Sequence, residues 1–108
     1  MKKTVQELFD AMPASFDPKA AGGLEVVYQF DITGDGGGQW YAAIKDGELR
    51  LLPGRHESPS ATVTSKAQDY LAVANGKVNE VMAFATGKVR VSGNIGLAMK
   101  LNKIFKRK

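Results

Sequence analysis

Few residues in this sequence of 108 could perform catalysis. His56 is the single histidine, and Glu57 follows it in a loop between two prolines. A histidine beside a carboxylate can act as a general base, but adjacent residues in an exposed loop seldom hold that geometry. The sequence contains no cysteine, and it has no Gly-x-Ser-x-Gly motif for a serine nucleophile. We therefore expect no catalytic residue, no metal site and no disulfide.

The glycine-rich segment of residues 34–38 (GDGGG) invites two functional interpretations. A phosphate-binding loop requires that the glycines lead into a helix N-terminus, whereas a strand-like run follows here. Asp31 and Asp35 could suggest calcium, but the carboxylate spacing and final glutamate of a calcium loop are absent. We therefore interpret the segment as a flexible hairpin connection, and we expect no cofactor.

Positive charge is concentrated in the C-terminal part of the chain. Residues 81–108 contain seven basic residues and no acidic one, whereas residues 1–80 contain eight basic and eleven acidic residues. The basic end could complement a helix dipole, or it could contact an anionic membrane, a nucleic acid or an acidic partner. We expect no nucleic-acid partner, because Tyr28, Phe30 and Trp40 share a strand face with aliphatic residues instead of basic ones.

The first elements are helical. Thr4 and Glu7 form a capping-box pattern, and Pro13 marks the end of the helix. Between them, apolar residues recur at helical spacing at Val5, Leu8, Phe9 and Met12. Residues 17–22 (DPKAAG) then predict one further helical turn, because Asp is a good cap, Pro suits the first turn and Gly suits the exit.

Alternating apolar and polar residues predict the strands. The strongest run covers residues 24–33, with one buried and one mostly polar face, and a second run places Trp40, Ala42 and Ile44 on one face. Asp46-Gly47 is a preferred pair for a two-residue type I′ turn into a third strand. Together these strands predict an antiparallel meander, which a short strand over residues 61–64 follows.

The second half predicts helices around one more strand. Ser65 and Gln68 form another capping-box pattern for a helix. A further helix is expected over residues 78–85, a fifth strand over 87–93, and a final helix capped by Asn94. This order of elements predicts a single α+β domain with helices on one face of a mainly antiparallel sheet.

The later helices carry more apolar surface than one contact with the sheet requires. The apolar stripe of the helix expected over residues 78–85 consists of Val78, Val81, Met82 and Ala85. Phe84 lies about 100° from the centre of that stripe, and Ile95 and Met99 lie outside the main stripe of the final helix. Such wide faces indicate either a thick core or a cavity for an apolar ligand. From the pattern alone, a thick core is favoured.

Four parts of the sequence favour the cavity over the thick core. They are residues 27–34, Trp40 at the start of the second strand, residues 44–47 and, most distinctively, residues 91–101 (VSGNIGLAMKL). Together they resemble the sterol carrier protein 2 lipid-transfer domain family over nearly the whole chain. The resemblance implies an α+β fold with a five-stranded, mostly antiparallel sheet, covered by about four to five helices and enclosing an apolar tunnel.

The resemblance also implies a ligand and its contacts. Members of this family are non-enzymatic and hold fatty acids, acyl-coenzyme A, sterols or phospholipids in the tunnel. Carried over to this sequence, the lining residues are Phe30, Trp40, Val81, Met82, Phe84, Ala85, Leu97, Leu101, Ile104 and Phe105.

A possible membrane contact lies at the basic end of the chain. Ile104 and Phe105 adjoin the basic residues Lys103, Lys106, Arg107 and Lys108. Each base near an anionic bilayer can contribute about 1 kcal/mol. We therefore expect these bases to provide a transient membrane contact while the apolar pair moves aside as a lid.

Two interpretations of the biological role stay open. The domain could carry lipid by itself, as a monomer or homodimer. It could instead hold substrate tails or link subunits beside a separate enzyme, because the fold also resembles the C-terminal part of alkylsulfatase-type hydrolases. The length favours the first interpretation.

A peroxisomal C-terminal tripeptide is absent, so we expect a cytoplasmic bacterial or archaeal protein. Its expected ligand is a fatty acyl chain or phospholipid in preference to a sterol.

Overall fold

A computed structural model describes residues 4–105, apart from the side chains of Glu80 and Asn102. The helices are α1 (Val5–Ala11), α2 (Pro18–Ala21), α3 (Ala67–Ala74), α4 (Glu80–Ala85), α5 (Ile95–Met99) and α6 (Leu101–Ile104), and a 3-10 turn covers Met12–Ser15. The strands are β1 (Val26–Thr33), β2 (Gly38–Lys45), β3 (Glu48–Pro53), β4 (Ala61–Lys66) and β5 (Val89–Gly93).

The five strands form one mixed sheet in the order β3-β2-β1-β4-β5. Strand β1 pairs antiparallel with β2 and parallel with β4, and the remaining neighbours are antiparallel. The turn between β2 and β3 has positive φ at Asp46 (53°) and Gly47 (74°), as a type I′ turn requires. The predicted α+β class with a five-stranded, mostly antiparallel sheet is confirmed.

Side-chain caps fix the starts of four helices. Thr4 and Glu7 each accept a hydrogen bond from the backbone N–H of the other, so the predicted capping box of α1 is confirmed. Asp17 and Asn94 cap α2 and α5 as expected. Asn79 caps α4, which therefore starts two residues later than the sequence suggested. Each such cap contributes about 1 kcal/mol.

The capping box predicted at Ser65 and Gln68 is wrong. Strand β4 continues through Ser65 to Lys66, and Lys66 is the N-cap of α3 without a side-chain hydrogen bond. The buried Ser65 hydroxyl lies within hydrogen-bond distance of the backbone oxygens of Lys66 and Lys88. Ser65 also pairs with Val89 of β5, so sheet pairing outweighs the local preference of serine for a helix cap.

The final helix expected after Asn94 is divided into α5 and α6, with Lys100 between them. After α6, Phe105 forms an antiparallel bridge with Phe16, and the backbone N–H of Asp17 donates to the oxygen of Ile104 over 2.7 Å. The rings of Phe16 and Phe105 lie 5.7 Å apart. We call this pairing of residues 16–17 with 104–105 the 16–105 bridge.

An aromatic cluster holds α1 and α3 over the sheet. Phe9 of α1 stacks on Trp40 with ring centroids 4.2 Å apart and meets Phe30 edge-on at 5.2 Å. Tyr70 of α3 stacks on Phe9 at 5.5 Å. The apolar residues expected on the inner face of β1 and β2 are buried in this core, and the predicted alternation of both strands is confirmed.

The opposite face of the sheet is partly covered by the loop of residues 54–59. Gln29 lies on this face, yet its side chain is 0% exposed. Its Nε2 donates to the backbone oxygens of Trp40 and Gly54, and its Oε1 accepts from the backbone N–H of His56 over 2.8 Å. The expectation of a mostly polar, wet face therefore fails at Gln29, because the loop folds over it.

Candidate functional site

A cavity of about 960 Å³ lies between the helices and the sheet. Phe30 of β1, Val63 of β4 and two valines of β5 form its sheet side, and the 3-10 turn, helices α1 to α6 and the 16–105 bridge supply the remaining walls. Small side chains leave space in these helical walls, at Ala11, Ala14, Ala74 and Ala98. The volume is near the upper end of the roughly 300–1,000 Å³ that small-molecule sites occupy.

The cavity lining is poor in polar groups. Among the described side chains, Asp17 is the only charged one that lines the cavity, and the lining also includes the hydroxyl-bearing residues Ser15 and Tyr70. The Ser15 hydroxyl donates to the backbone oxygen of Met12 over 3.0 Å, and the Asp17 carboxylate accepts from backbone N–H groups of α2. No group of three or more histidine, aspartate or glutamate side chains in the described part of the chain could hold a metal ion.

Five of the ten expected ligand contacts line this cavity. They are Phe30, Val81, Phe84, Leu101 and Phe105. The fold brings them together from β1, α4, α6 and the 16–105 bridge. Their contact with a bound ligand stays a prediction.

The other five expected contacts lie outside the lining. Trp40 is 7% exposed and packs against Phe9 instead, and Ile104 is buried in the core. Leu97 is half-buried beside the core. Met82 (58% exposed) and Ala85 are exposed on α4.

The orientation of α4 explains why the apolar stripe expected for that helix is not buried in the core. Ala83 is its fully buried residue, whereas the sequence pattern placed Val81, Met82 and Ala85 toward the core. Val81 and Phe84 face the cavity instead. A short helix beside a cavity buries only a narrow face, which hydrophobic spacing alone does not identify.

Several lining residues were missed by the sequence analysis as ligand contacts. They are contributed mainly by α1, the 3-10 turn, β5 and α5 and include Leu8, Met12, Val89, Val91, Ile95 and Met99. Three features of the sequence could have identified these lining residues: the apolar stripe of α1, the alternation of β5 and the surplus apolar residues of the final helix.

The structure describes one of the four basic residues expected to contact a membrane. Lys103 is exposed on α6, whereas Lys106, Arg107 and Lys108 lie outside the described residues. Ile104 and Phe105, the expected lid, are both buried. Across residues 4–105, no helix has the length and apolarity that a membrane span requires.

The motifs that could have suggested chemistry lie in connecting segments. The His56 Nδ1 accepts a hydrogen bond from the backbone N–H of Ser58 over 3.0 Å, in the loop that covers Gln29. The glycine-rich segment connects β1 to its antiparallel neighbour β2, as the sequence predicted.

Tyr28 connects the sheet to the helical wall of the cavity. Its side chain is fully buried, and its hydroxyl donates to the backbone oxygen of Leu97 in α5. Burial raises the pKa of Tyr28 to about 12. The phenol is therefore a neutral hydrogen-bond donor over the whole physiological pH range.

Comparison with known proteins agrees with this architecture. The model of the SCP-2 sterol transfer family matches residues 5–106. The chain belongs to this family. Hydroxysteroid dehydrogenase-like protein 2 of Rattus norvegicus is 33% identical over 102 residues, which cover 94% of this chain and 20% of that protein. The SCP-2 family chain thus spans about a fifth of the length of this relative.

Solved structures share the fold. Palmitated SCP2L2 from Aedes aegypti matches with a TM-score of 0.76 and 25% identity, covering 97% of this chain and 96% of that chain. A stereoselective inverting sec-alkylsulfatase from Pseudomonas sp. matches with a TM-score of 0.80 and 16% identity, covering 98% of this chain and 17% of that chain. The second match shows that the same fold occurs as one part of a larger enzyme.

Proposed function

We propose that this SCP-2 family chain binds an elongated apolar lipid in the cavity and carries it between membranes. The observation that carries the proposal is a cavity of about 960 Å³ walled mainly by apolar side chains from the sheet and six helices. The family match and the palmitated state of the relative from Aedes aegypti support it.

The apolar chain of the ligand provides most of the binding free energy. Burial of a methylene group is worth about 0.8 kcal/mol, so a chain of about fifteen methylenes gains on the order of 12 kcal/mol. Association and ordering cost roughly 4–15 kcal/mol. At the lower end of that cost the net gain is about 8 kcal/mol, which corresponds to micromolar affinity. Selectivity among chains of similar length is expected to be weak.

The headgroup of the lipid stays at an opening of the cavity. Asp17 is the only charged side chain in the described lining, so a carboxylate inside would meet no counter-charge. Burying an unpaired charge costs several kcal/mol. A fatty acyl chain, an acyl-coenzyme A, a phospholipid or a sterol-like molecule could satisfy this arrangement with its polar end outside.

The proposed carrier performs no reaction and needs no cofactor. Its ligand contacts are Phe30, Val81, Phe84, Leu101 and Phe105, together with the lining residues of α1 and β5. A monomer or a homodimer could act in this way, and the cytoplasm is the proposed location.

Delivery requires an encounter with a membrane. Exposed Lys103 and the adjoining Lys106, Arg107 and Lys108 are proposed to attract the carrier to anionic lipid. The tail then sets the encounter rate, whereas the cavity sets the equilibrium affinity for lipid.

Native mass spectrometry of the purified chain tests the proposal directly. We expect adducts that organic extraction removes and that a fluorescent fatty acid displaces at micromolar concentration. A chain free of adducts that also fails to bind fatty acids, acyl-coenzyme A and phospholipids would contradict lipid carriage.

A second role follows from the length of the related proteins. The matched region is 20% of hydroxysteroid dehydrogenase-like protein 2 and 17% of the alkylsulfatase chain, so the domain could hold substrate tails for an enzyme. Vesicle-to-vesicle transfer separates the two roles. A carrier accelerates transfer of a fluorescent lipid, whereas an accessory domain binds the lipid without accelerating its transfer.

A further inference from the structure

Exposed apolar side chains are concentrated on α4 and α5. Val81 is 66% and Met99 is 62% exposed, and three further large apolar residues on these helices are also exposed. We call the five residues the α4–α5 surface: Val81, Met82, Phe84, Ile95 and Met99. Every member except Met82 also lines the cavity, so the two helices flank one mouth of it. An exposed apolar patch of this kind marks an interaction site.

The chain around this surface is positively charged. Residues 81–105 contain no acidic residue, and four cations in this segment have exposed side chains: Lys88, Arg90, Lys100 and Lys103. The nearest acidic residue before the segment is Glu80, at the start of α4. Lys100 directly follows Met99 at the end of α5, and Lys103 lies three residues further on, in α6. Lys88 and Arg90 alternate with Val89 and Val91, which line the cavity, so they belong to the opposite face of the sheet.

We propose that the α4–α5 surface docks on an anionic lipid bilayer, so that the mouth of the cavity opens onto the membrane. The apolar side chains enter the interface while the cations pair with lipid headgroups, as in amphipathic interfacial segments. A bilayer fits this surface because it offers negative charge and apolar depth together. The purpose of docking rests on the proposed lipid carriage, but docking itself is measured without it.

Removal of the two cations that follow Met99 tests the electrostatic part. Lys100→Gln with Lys103→Gln should weaken association with vesicles of phosphatidylcholine and phosphatidylserine at least tenfold, at roughly fivefold per cation. The matched control, Lys45→Gln with Arg50→Gln, removes two exposed cations from β2 and β3 near the β3 edge of the sheet. Less than a twofold change is expected there, and an equal loss in both pairs would overturn the proposal.

Insertion of the apolar residues needs a separate measurement. The sequence contains no cysteine, so Met82→Cys and Leu52→Cys each accept one polarity-sensitive fluorophore. Both side chains are exposed, Met82 on α4 and Leu52 on β3 at the far edge of the sheet. Anionic vesicles should shift the emission at position 82 to the blue and leave position 52 unchanged. Vesicle association without a shift at position 82 would overturn the proposal.

Docking and lipid carriage can fail separately. A chain that inserts position 82 but binds no fluorescent fatty acid in vesicle-free buffer would retain docking and contradict carriage. A chain that binds the fatty acid without inserting position 82 would contradict docking alone. Self-association that Met82→Ser abolishes, with vesicle association unchanged, would assign the surface to a second copy of the chain and overturn the proposal.

Discussion

The Tyr28 hydroxyl donates a hydrogen bond of 2.7 Å to the carbonyl oxygen of Leu97, and this contact joins β1 to α5. The same oxygen accepts from the backbone N–H of Lys100 over 3.0 Å, at the division between α5 and α6. Ile95 and Met99 of α5 line the cavity. Tyr28 therefore anchors one helical wall of the cavity to the sheet.

Tyr28→Phe should lower the free energy of unfolding by about 1 kcal/mol at neutral pH, the usual net value of one hydrogen bond. The ring remains, so packing is preserved, and Leu97 keeps its bond from Lys100. Urea unfolding followed by circular dichroism measures the change. A variant as stable as the wild type would show that this bond adds nothing to the free energy of unfolding.

The same substitution has a signature at alkaline pH. Burial raises the pKa of Tyr28 from its ordinary 10.0 to about 12, so above pH 10 the unfolded chain loses this proton before the folded chain does. Stability from this group is fully present below pH 10 and falls between pH 10 and 12, by at most about 1.4 kcal/mol per unit. Tyr28→Phe should decline less steeply than the wild type over this range. Parallel declines would contradict the assigned pKa.

Phe84→Asp should weaken fatty-acid binding at least tenfold, because the carboxylate would face the apolar cavity. Met82→Asp is the matched control, since Met82 lies on the same helix outside the lining. We expect less than a twofold effect from the control in a vesicle-free titration. Circular dichroism establishes that both variants are folded, and equal affinities would show that Phe84 does not contact the ligand.

Trp40 should emit in the blue-shifted range of a buried indole, and lipid binding should leave this emission nearly unchanged. The residue packs against Phe9 beneath α1 and does not line the cavity. A tryptophan introduced by Phe84→Trp in a Trp40→Phe chain should respond strongly to the same lipid. A strong response from Trp40 alone would place the ligand deeper in the sheet-facing core.

The C-terminal bases should govern the salt dependence of lipid transfer. Replacement of Lys103, Lys106, Arg107 and Lys108 by Gln should remove the preference for anionic acceptor vesicles, because charge acts over a Debye length of about 8 Å at physiological salt. Equilibrium lipid affinity should stay the same. The control replaces four exposed cations elsewhere: Lys45, Arg50, Lys66 and Lys77. Unchanged transfer after the first replacement would leave the tail without a role in delivery.

Local chemistry made much of the fold predictable from sequence. The Thr4–Glu7 box and the Asp46–Gly47 turn depend on neighbouring residues, and both form as expected. Ser65 failed as a cap because β5, more than twenty residues away, pairs with it. Gln29 was expected on a solvent-exposed sheet face, but a loop distant in sequence buries it. The errors thus occur where long-range pairing decides the environment.

The candidate site was less predictable than the fold. The inward orientation of Phe30 could be predicted from the alternation of its strand. The lining role of Val81 and Phe84, however, depends on how α4 is oriented relative to β5. Helical spacing identified the apolar residues of α4 without showing which would be buried, and Ala83 took that position. The rotation of a helix about its own axis is set by tertiary packing, and the local pattern of apolar residues does not reveal it.

The 16–105 bridge has a consequence for the order of events during biosynthesis. Phe16 and Asp17 are made early, and their partners Ile104 and Phe105 are added only after nearly the whole described chain, at about 5–20 residues per second. Because Phe16, Asp17 and Phe105 all line the cavity, that wall stays incomplete through most of translation.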